Sequence, residues 1–239
     1  MKVAIVLISY NRPFFVKQAL DSIKKQTILD DIHCVAVDDG SNNETVDAIS
    51  AFQDDFAKFD FVQIKPEKEE DRYTTNRVAI SVNAGLQRII DTAPETQYLS
   101  YLTDDDLYEE TRCEKMSKHL DENPDIFLLY HFMKLYRCDG TGKLGDLIFD
   151  LNDKWTEANK YWVSNIDNRI DHCSFMHRNL NVLWTDDNIY RRCTDYGFLL
   201  QCLKKELNFA HYPEYLATGR KIVGDSINID NTIGERTGK

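Results

Sequence analysis

The sequence predicts a single α/β domain, a Rossmann-like unit with a mainly parallel, mixed central sheet flanked by helices. Three observations predict it. Apolar runs of strand length alternate with segments of helical period from Val3 through Leu120, the pattern of right-handed βαβ crossovers. The runs are continuous rather than alternating, as in strands covered on both faces. At 239 residues the chain is long enough to bury a full core without disulfides or metal staples.

The elements follow in order. Val3 to Ile8 is an apolar strand closed by Ser9-Tyr10-Asn11, where Asn11 is placed to cap a helix with Pro13 in its first turn and Val16, Leu20 and Ile23 on one face. His33 to Val37 repeats the strand, Asp38-Asp39-Gly40-Ser41 makes the turn, and Val46, Ile49 and Phe52 supply the next helical stripe. Phe59 to Ile64 reads as a third strand, and the charged stretch Glu67 to Asp71 as a solvated loop. A helix over about Thr75 to Ile90 offers Val78, Val82 and Ile89 to the sheet, and Tyr98 to Leu102 is a strand running into Thr103-Asp104-Asp105-Asp106. Beyond Asn123 the regularity weakens. Ile126 to Tyr136 reads as a long strand with a hairpin turn at Asp139-Gly140-Thr141-Gly142, His172 to Met176 as another strand, and Asp195 to Leu207 as a helix. From Thr218 the glycines among polar residues predict a mobile tail or lid over 218–239, leaving 1–217 as the domain.

Composition narrows the function. A formal charge of −11 argues against nonspecific nucleic-acid binding, which needs clustered Lys and Arg. The six cysteines form no C-x-x-C pair and read as reduced, buried thiols. The sequon at Asn43 reads as a helix start. No apolar stretch approaches the roughly 20 residues that span a bilayer, so a soluble, cytoplasmic protein without a transmembrane segment is expected.

Ligands on such sheets gather at the carboxyl ends of the strands. Three polar clusters stand there in this reading, Ser9-Tyr10-Asn11, Asp38-Asp39 and Asp104-Asp105-Asp106, and they should converge. Consecutive aspartates repel and raise one another's pKa, a cost that a divalent cation removes. Carboxylate oxygens suit Mg²⁺ or Mn²⁺, which together with substrate phosphates would neutralise a diphosphate leaving group. Acidic turns are common, so the position after a strand gives this one its weight. Thr185-Asp186-Asp187-Asn188-Ile189-Tyr190 nearly repeats the motif without a convincing strand before it and is read as a loop.

Val3 to Pro13 with its Ser9-Tyr10-Asn11-Arg12-Pro13 ending, then Val37-Asp38-Asp39-Gly40-Ser41, then Tyr101-Leu102-Thr103-Asp104-Asp105-Asp106 resemble, in order and spacing, the family 2 inverting glycosyltransferases of GT-A fold. Ile170-Asp171-His172-Cys173-Ser174-Phe175-Met176-His177-Arg178 is similar to a segment of the spore coat polysaccharide glycosyltransferases within that family. The resemblance covers about residues 1 to 210. It implies transfer of a sugar from a UDP- or dTDP-linked donor to the hydroxyl of a glycan or other acceptor, with 1–106 as the nucleotide-sugar half and 107–217 as the acceptor half. On the matching positions it implies that Ser9 and Tyr10 border the nucleobase, Asp39 accepts a hydrogen bond from the base, Arg72 and Arg77 approach base or diphosphate, and Asp104 binds the sugar or ribose. It further implies metal at Asp105 and Asp106, with Asp195 as general base. Asp195 also fits a helix N-cap.

Other signals point less far. His172, Cys173, His177 and Cys193 suggest zinc, but histidines five apart on a strand face opposite ways, so the set reads as structural, with His172 on the acceptor side. Asp139 to Leu144 fails as a phosphate loop, because its hydroxyl position is Leu144. Trp155, Tyr161 and Trp162 read as packing. The competing functions are a sugar nucleotidyltransferase, disfavoured because no glycine follows the first strand, and a noncatalytic nucleotide-binding protein of the same fold.

Overall fold

The continuous apolar runs become the central strands. In the computed structural model, which describes residues 1–156 and 169–224, β1 (Val3–Ser9) and β2 (Ile32–Asp39) are buried almost throughout. With β3 (Lys58–Ile64) and β4 (Tyr98–Thr103) they form a parallel block in the order β3-β2-β1-β4. Helices α1 (Pro13–Lys24), α2 (Asn43–Ser50) and α5 (Arg112–Glu122) cover one face. The other face carries α4 (Arg77–Thr92) and α6 (Thr194–Lys204), and α3 (Asp71–Thr74) is a single turn ahead of α4. The two-residue period of a strand is visible in the packing: Val3, Ile5 and Leu7 join the first core, Ala4 and Val6 the second. Glycine lets α4 approach closely, since a Cβ on Gly85 would lie 2.5 Å from Val6 Cγ1.

The second half turns the sheet mixed. β8 (Phe175–Arg178) runs antiparallel to β4 and to β6 (Leu128–Cys138), β9 (Phe209–Ile222) is parallel to β6, and the two-residue β5 (Leu107–Tyr108) borders β9. β7 (Leu144–Leu151) pairs with β6 through the hairpin expected at Asp139–Gly142. The predicted fold class therefore holds, with the four-strand parallel block in the first half and a second parallel pair, β6 and β9, in an otherwise antiparallel second half. The six cysteines are free thiols, all but Cys193 buried. Among the described residues no helix is long and apolar enough to cross a membrane.

Several local expectations are corrected. Asn11 does not cap α1: it sits at φ +52° and its side chain accepts from Asn42 N at 2.8 Å, leaving Arg12 in the cap position without a capping bond. Residues 172–174 form a 3-10 turn rather than a strand, because the Asp171 carboxylate accepts from Cys173 N at 2.8 Å and closes the turn before β8 begins. Residues 218–222 are no tail, since β9 continues through them in register with β6 as far as Ile222. The remainder of that stretch from 225, with Tyr161 and Trp162, lies outside the described residues. Asp195 is not an N-cap either; α6 starts at Thr194 behind Cys193.

Candidate functional site

Parallel register sets the polar strand ends abreast. Ser9 pairs with Asp38 and Ile8 with Thr103, and Asp104 N extends the ladder by donating to Ile8 O at 3.1 Å. The first and third clusters consequently meet. Ser9 Oγ donates to Asp104 Oδ2 at 2.8 Å, Tyr10 N donates to the same oxygen at 3.1 Å, and Arg12 Nη1 reaches Asp104 Oδ1 at 2.7 Å. Asp104 is thus buried with both oxygens engaged.

The three aspartates have different duties. Asp106 points inward, accepting from Arg220 N at 2.8 Å and from Thr103 Oγ1 at 3.0 Å. Arg220, at the far end of the chain, also donates through Nε to the Asp105 carbonyl and through Nη1 to Gln18, so β9 braces the turn. Asp105 lies between these fixed neighbours. Its Oδ2 is 3.1 Å from Arg12 Nη1, its Oδ1 has no partner among the described residues, and its side chain is 13% exposed. Burial raises the Asp104 pKa against the Arg12 charge, with Asp105 adding to the rise, and burial likewise raises that of Asp106, helped by the charges of Asp105 and Asp171. Arg12 is shared by Asp104 and Asp105, while Asp106 is met by the Arg220 backbone N–H rather than by a paired guanidinium. An all-oxygen donor set in that state fits Mg²⁺ or Mn²⁺, with Asp105 offering the available oxygen and Asp106 serving as a brace.

The second cluster forms a shelf beside the first. Asp39 accepts from Arg72 Nη1 at 3.0 Å and from Arg77 Nε at 3.1 Å, with a further bond from Arg77 Nη2. Arg72 also donates to the Asp39 carbonyl at 2.9 Å and stacks over the Tyr10 ring at 3.6 Å. Both arginines come from α3 and the start of α4, so a short helix between the expected loop at 67–71 and the expected helix from Thr75 carries Arg72 to the site. One face of Tyr10 is therefore covered by a guanidinium, and the Asp39 carboxylate already holds two cations.

His172 heads the 3-10 turn, its Nδ1 3.6 Å from Asp171 Oδ1 and its Nε2 buried without a partner among the described residues. Burial alone would lower its pKa, but the charges of Asp171, Asp195, Asp106 and Asp105 outweigh burial and hold it above the usual imidazole value. Those four carboxylates thus all act electrostatically on one ring. Asp195 Oδ1 accepts from Tyr196 N at 2.8 Å. The fully buried Arg112 anchors the segment by donating to the carbonyls of Cys173 and Phe175 at 3.1 and 3.0 Å. His177, by contrast, is core: its Nε2 accepts from Tyr101 at 2.7 Å, apart from His172. Asp186 and Asp187 of the second acidic run are exposed, Asp187 capping a 3-10 turn at Ile189.

Sequence reasoning missed Arg12, Arg112, Asp171 and Arg220. Arg12 could have been suspected as a cation next to the first polar cluster; Arg220 meets Asp106 across 114 residues and left no local signal.

With that geometry in place, known proteins can be set beside it. The model of the family described as glycosyl transferase family 2 matches residues 4–183. Protein CgeD of Bacillus subtilis strain 168 is 29% identical over 196 residues, which are 78% of this chain and 42% of CgeD. The uncharacterized glycosyltransferase MJ1057 of Methanocaldococcus jannaschii is 26% identical over 217 residues, covering 90% of this chain and 69% of that protein. Among solved structures, S. aureus TarS residues 1–349 in complex with UDP superposes with a TM-score of 0.66 at 13% identity, over 92% of this chain and 61% of that one. The mannosyltransferase PcManGT from Pyrobaculum calidifontis in complex with GDP-Man and Mn²⁺ gives a TM-score of 0.55 at 13% identity, over 91% and 56%. These structural likenesses show the GT-A fold, and the chain spans less than two thirds of CgeD and of both solved chains. A family match over three quarters of the sequence, on a fold shared with nucleotide-sugar complexes, establishes that the chain belongs to glycosyltransferase family 2.

Proposed function

We propose that this chain is an inverting glycosyltransferase that moves a sugar from a nucleotide diphosphate sugar, UDP- or dTDP-linked, to an acceptor hydroxyl, using Mn²⁺ or Mg²⁺ and Asp195 as general base. The observation that carries the reading is the meeting of Ser9, Tyr10 and Arg12 with Asp104 in the acidic turn, beside the Tyr10–Asp39–Arg72–Arg77 shelf. An anion-binding shelf, a metal-type acidic turn and a separate carboxylate are the three parts that such a transfer needs.

The residues divide the work. Tyr10, with Arg72 across one face, borders the nucleobase, and Asp39 fixes Arg72 and Arg77 where they meet base or diphosphate. Ser9 and the Tyr10 backbone hold Asp104 toward the ribose or sugar. Asp105 would hold the divalent ion, which when bound neutralises the diphosphate and stabilises it as leaving group. Asp106 keeps the turn in place. On the acceptor side Asp195 takes the proton of the attacking hydroxyl as its oxygen bonds to the anomeric carbon; the bond to the phosphate oxygen breaks on the opposite face, and its electron pair leaves with the diphosphate. A base in that role contributes roughly 10²- to 10⁴-fold. His172, whose buried Nε2 has no partner among the described residues, would orient the acceptor. TarS complexes with UDP and UDP-GlcNAc and the PcManGT complex with GDP-Man and Mn²⁺ support a nucleotide sugar and a divalent ion as partners.

Incubating the protein with a panel of UDP-, dTDP- and GDP-sugars and Mn²⁺ should release nucleotide diphosphate by slow hydrolysis, and EDTA should stop it. Asp195→Asn is expected to lose transfer by roughly 10²-fold or more while nucleotide binding measured by calorimetry is retained. Normal turnover in that variant removes Asp195 as the base; absence of both nucleotide binding and release removes the transferase reading.

A further inference from the structure

Asp195 stands in the first turn of α6, and a buried hydrogen bond ties that turn to α4. Asn76, fully buried at the N-cap of α4, accepts through the same Oδ1 from Ala79 N at 3.3 Å and from Thr194 Oγ1 at 2.8 Å. Thr194 is itself buried and immediately precedes Asp195, while Arg77 of the donor shelf immediately follows Asn76. We infer that Thr194 is a positioning residue for the transfer: its hydroxyl bond to Asn76 sets the first turn of α6, and with it the Asp195 carboxylate, against the donor shelf. The inference rests on the reading of Asp195 as general base.

Other contacts fasten the chain on either side of that turn. Asn83 clasps the Trp184 backbone, donating through Nδ2 to Trp184 O and accepting from Trp184 N, both at 2.8 Å, and Asn76 N donates to Asn188 Oδ1 at 2.9 Å. These bonds seat the segment before α6 on α4. Beyond the turn, Phe198, Leu199 and Cys202 hold the body of α6 in the second core, and the turn itself packs closely on Tyr190, where a Cβ on Gly197 would fall 2.9 Å from Tyr190 Cγ. Apolar contacts of that kind are non-directional, whereas a hydrogen bond fixes both distance and angle. Asp195 Oδ1 accepts from Tyr196 N at 2.8 Å, so the carboxylate travels with its turn.

Removing the hydroxyl has a defined reach. Thr194→Val keeps the branched shape, and Asn76 Oδ1 retains Ala79 N, so α4 stays capped and Arg77 keeps its bond to Asp39. The donor shelf is left as it was. The base loses its tie, and a reacting group misplaced by about 1 Å can cost about 10²-fold in rate.

The test separates rate from binding. With the nucleotide sugar that the wild type hydrolyses, Thr194→Val is expected to lower kcat roughly 10- to 100-fold while the KM for that donor and the calorimetric affinity for UDP stay at their wild-type values. Thr194→Ser, which restores the hydroxyl, should return most of the rate. A hydroxyl serving stability alone would lower the urea midpoint of the valine variant and leave kcat in place, and that result overturns the proposal; so does a loss that appears equally in UDP affinity, or one that serine does not repair. Hydrogen exchange gives a readout without turnover: residues 194–199 should exchange faster in the valine variant than in wild type or the serine variant, with residues 77–82 unchanged. Equal exchange overturns the proposal as well. If the valine variant fails to fold, Thr194→Ala decides. Asp195→Asn, measured alongside, keeps the two readings apart: normal turnover in it removes the base and this proposal together, whereas an inactive Asp195→Asn beside an unimpaired Thr194→Val removes this proposal alone.

Discussion

At the scale of single residues, Asp39 separates two roles that a motif alone cannot. As a residue facing a nucleobase it would need only a free carboxylate edge. Here it is buried and holds Arg72 and Arg77, with Arg72 in turn stacked on Tyr10. Removing its charge therefore leaves Arg77 without an ion-pair partner among the described residues and Arg72 with the exposed Glu69 alone, and breaking a buried pair costs about 3 kcal/mol or more. Asp39→Asn is expected to lose about that much stability in urea unfolding and to weaken UDP binding by calorimetry. A variant that binds UDP poorly yet unfolds like wild type would mean that Asp39 touches the base and does not organise the shelf.

At the scale of elements, what was legible followed from local chemistry. β1, β2 and β4 were readable because both faces are apolar, and the carboxylates at their ends were readable because parallel strands finish together. The turn at 172–174 was misread because its Cys-Ser-Phe-Met composition suits a strand, whereas one Asp171 bond to Cys173 N decides it. The end of β9 was misread because Gly219 and Gly224 suggested mobility. Gly219 is instead a packing residue, where a Cβ would come within 2.7 Å of Leu135 and Met133 side-chain atoms. Arg112 and Arg220 were not legible as site residues, since their partners are set by topology. Asn76 shows the same limit: fully buried, it caps α4, and its Oδ1 also accepts from Thr194 Oγ1 at 2.8 Å, so one side chain joins the helix of Arg77 to the helix of Asp195. The seating of α4 itself can be tested at Gly85, whose added Cβ would strike Val6 at 2.5 Å and approach Val37 at 3.1 Å. Gly85→Ala should cost about 1–3 kcal/mol through overpacking, and Val6→Ala in the same chain should recover part of it. Additive losses in the double variant would place the clash elsewhere.

At the scale of the whole molecule, buried histidines tie the fold to pH. His177 Nδ1–H donates to Arg178 O at 2.8 Å, so Nε2 can only accept, and it takes the Tyr101 hydroxyl. His131 repeats the arrangement, accepting from Arg112 Nε at 2.8 Å through a neutral ring. Burial lowers the His177 pKa to about 4, against about 6.5 in an unfolded chain. The unfolded state therefore takes up a proton first as the pH falls, and stability is lost progressively from above pH 6.5 toward pH 4. His131 acts in the same direction, while Asp104 and Asp106, whose pKa values are raised, act in the opposite one. Only a comparison at one site isolates the contribution. With a sequence pI near 5.0, measurements belong above that value, where charge keeps the protein in solution. Between pH 7.5 and 5.5 the His177 protonation difference amounts to about 1.4 kcal/mol. His177→Gln, less stable than wild type at pH 7.5 because it disturbs the Tyr101 bond, should lose about that much less on acidification when urea unfolding is measured at both values with EDTA present. Parallel losses in the two proteins would show that His177 carries its proton in the folded state, and that the core around Tyr101 tolerates an imidazolium.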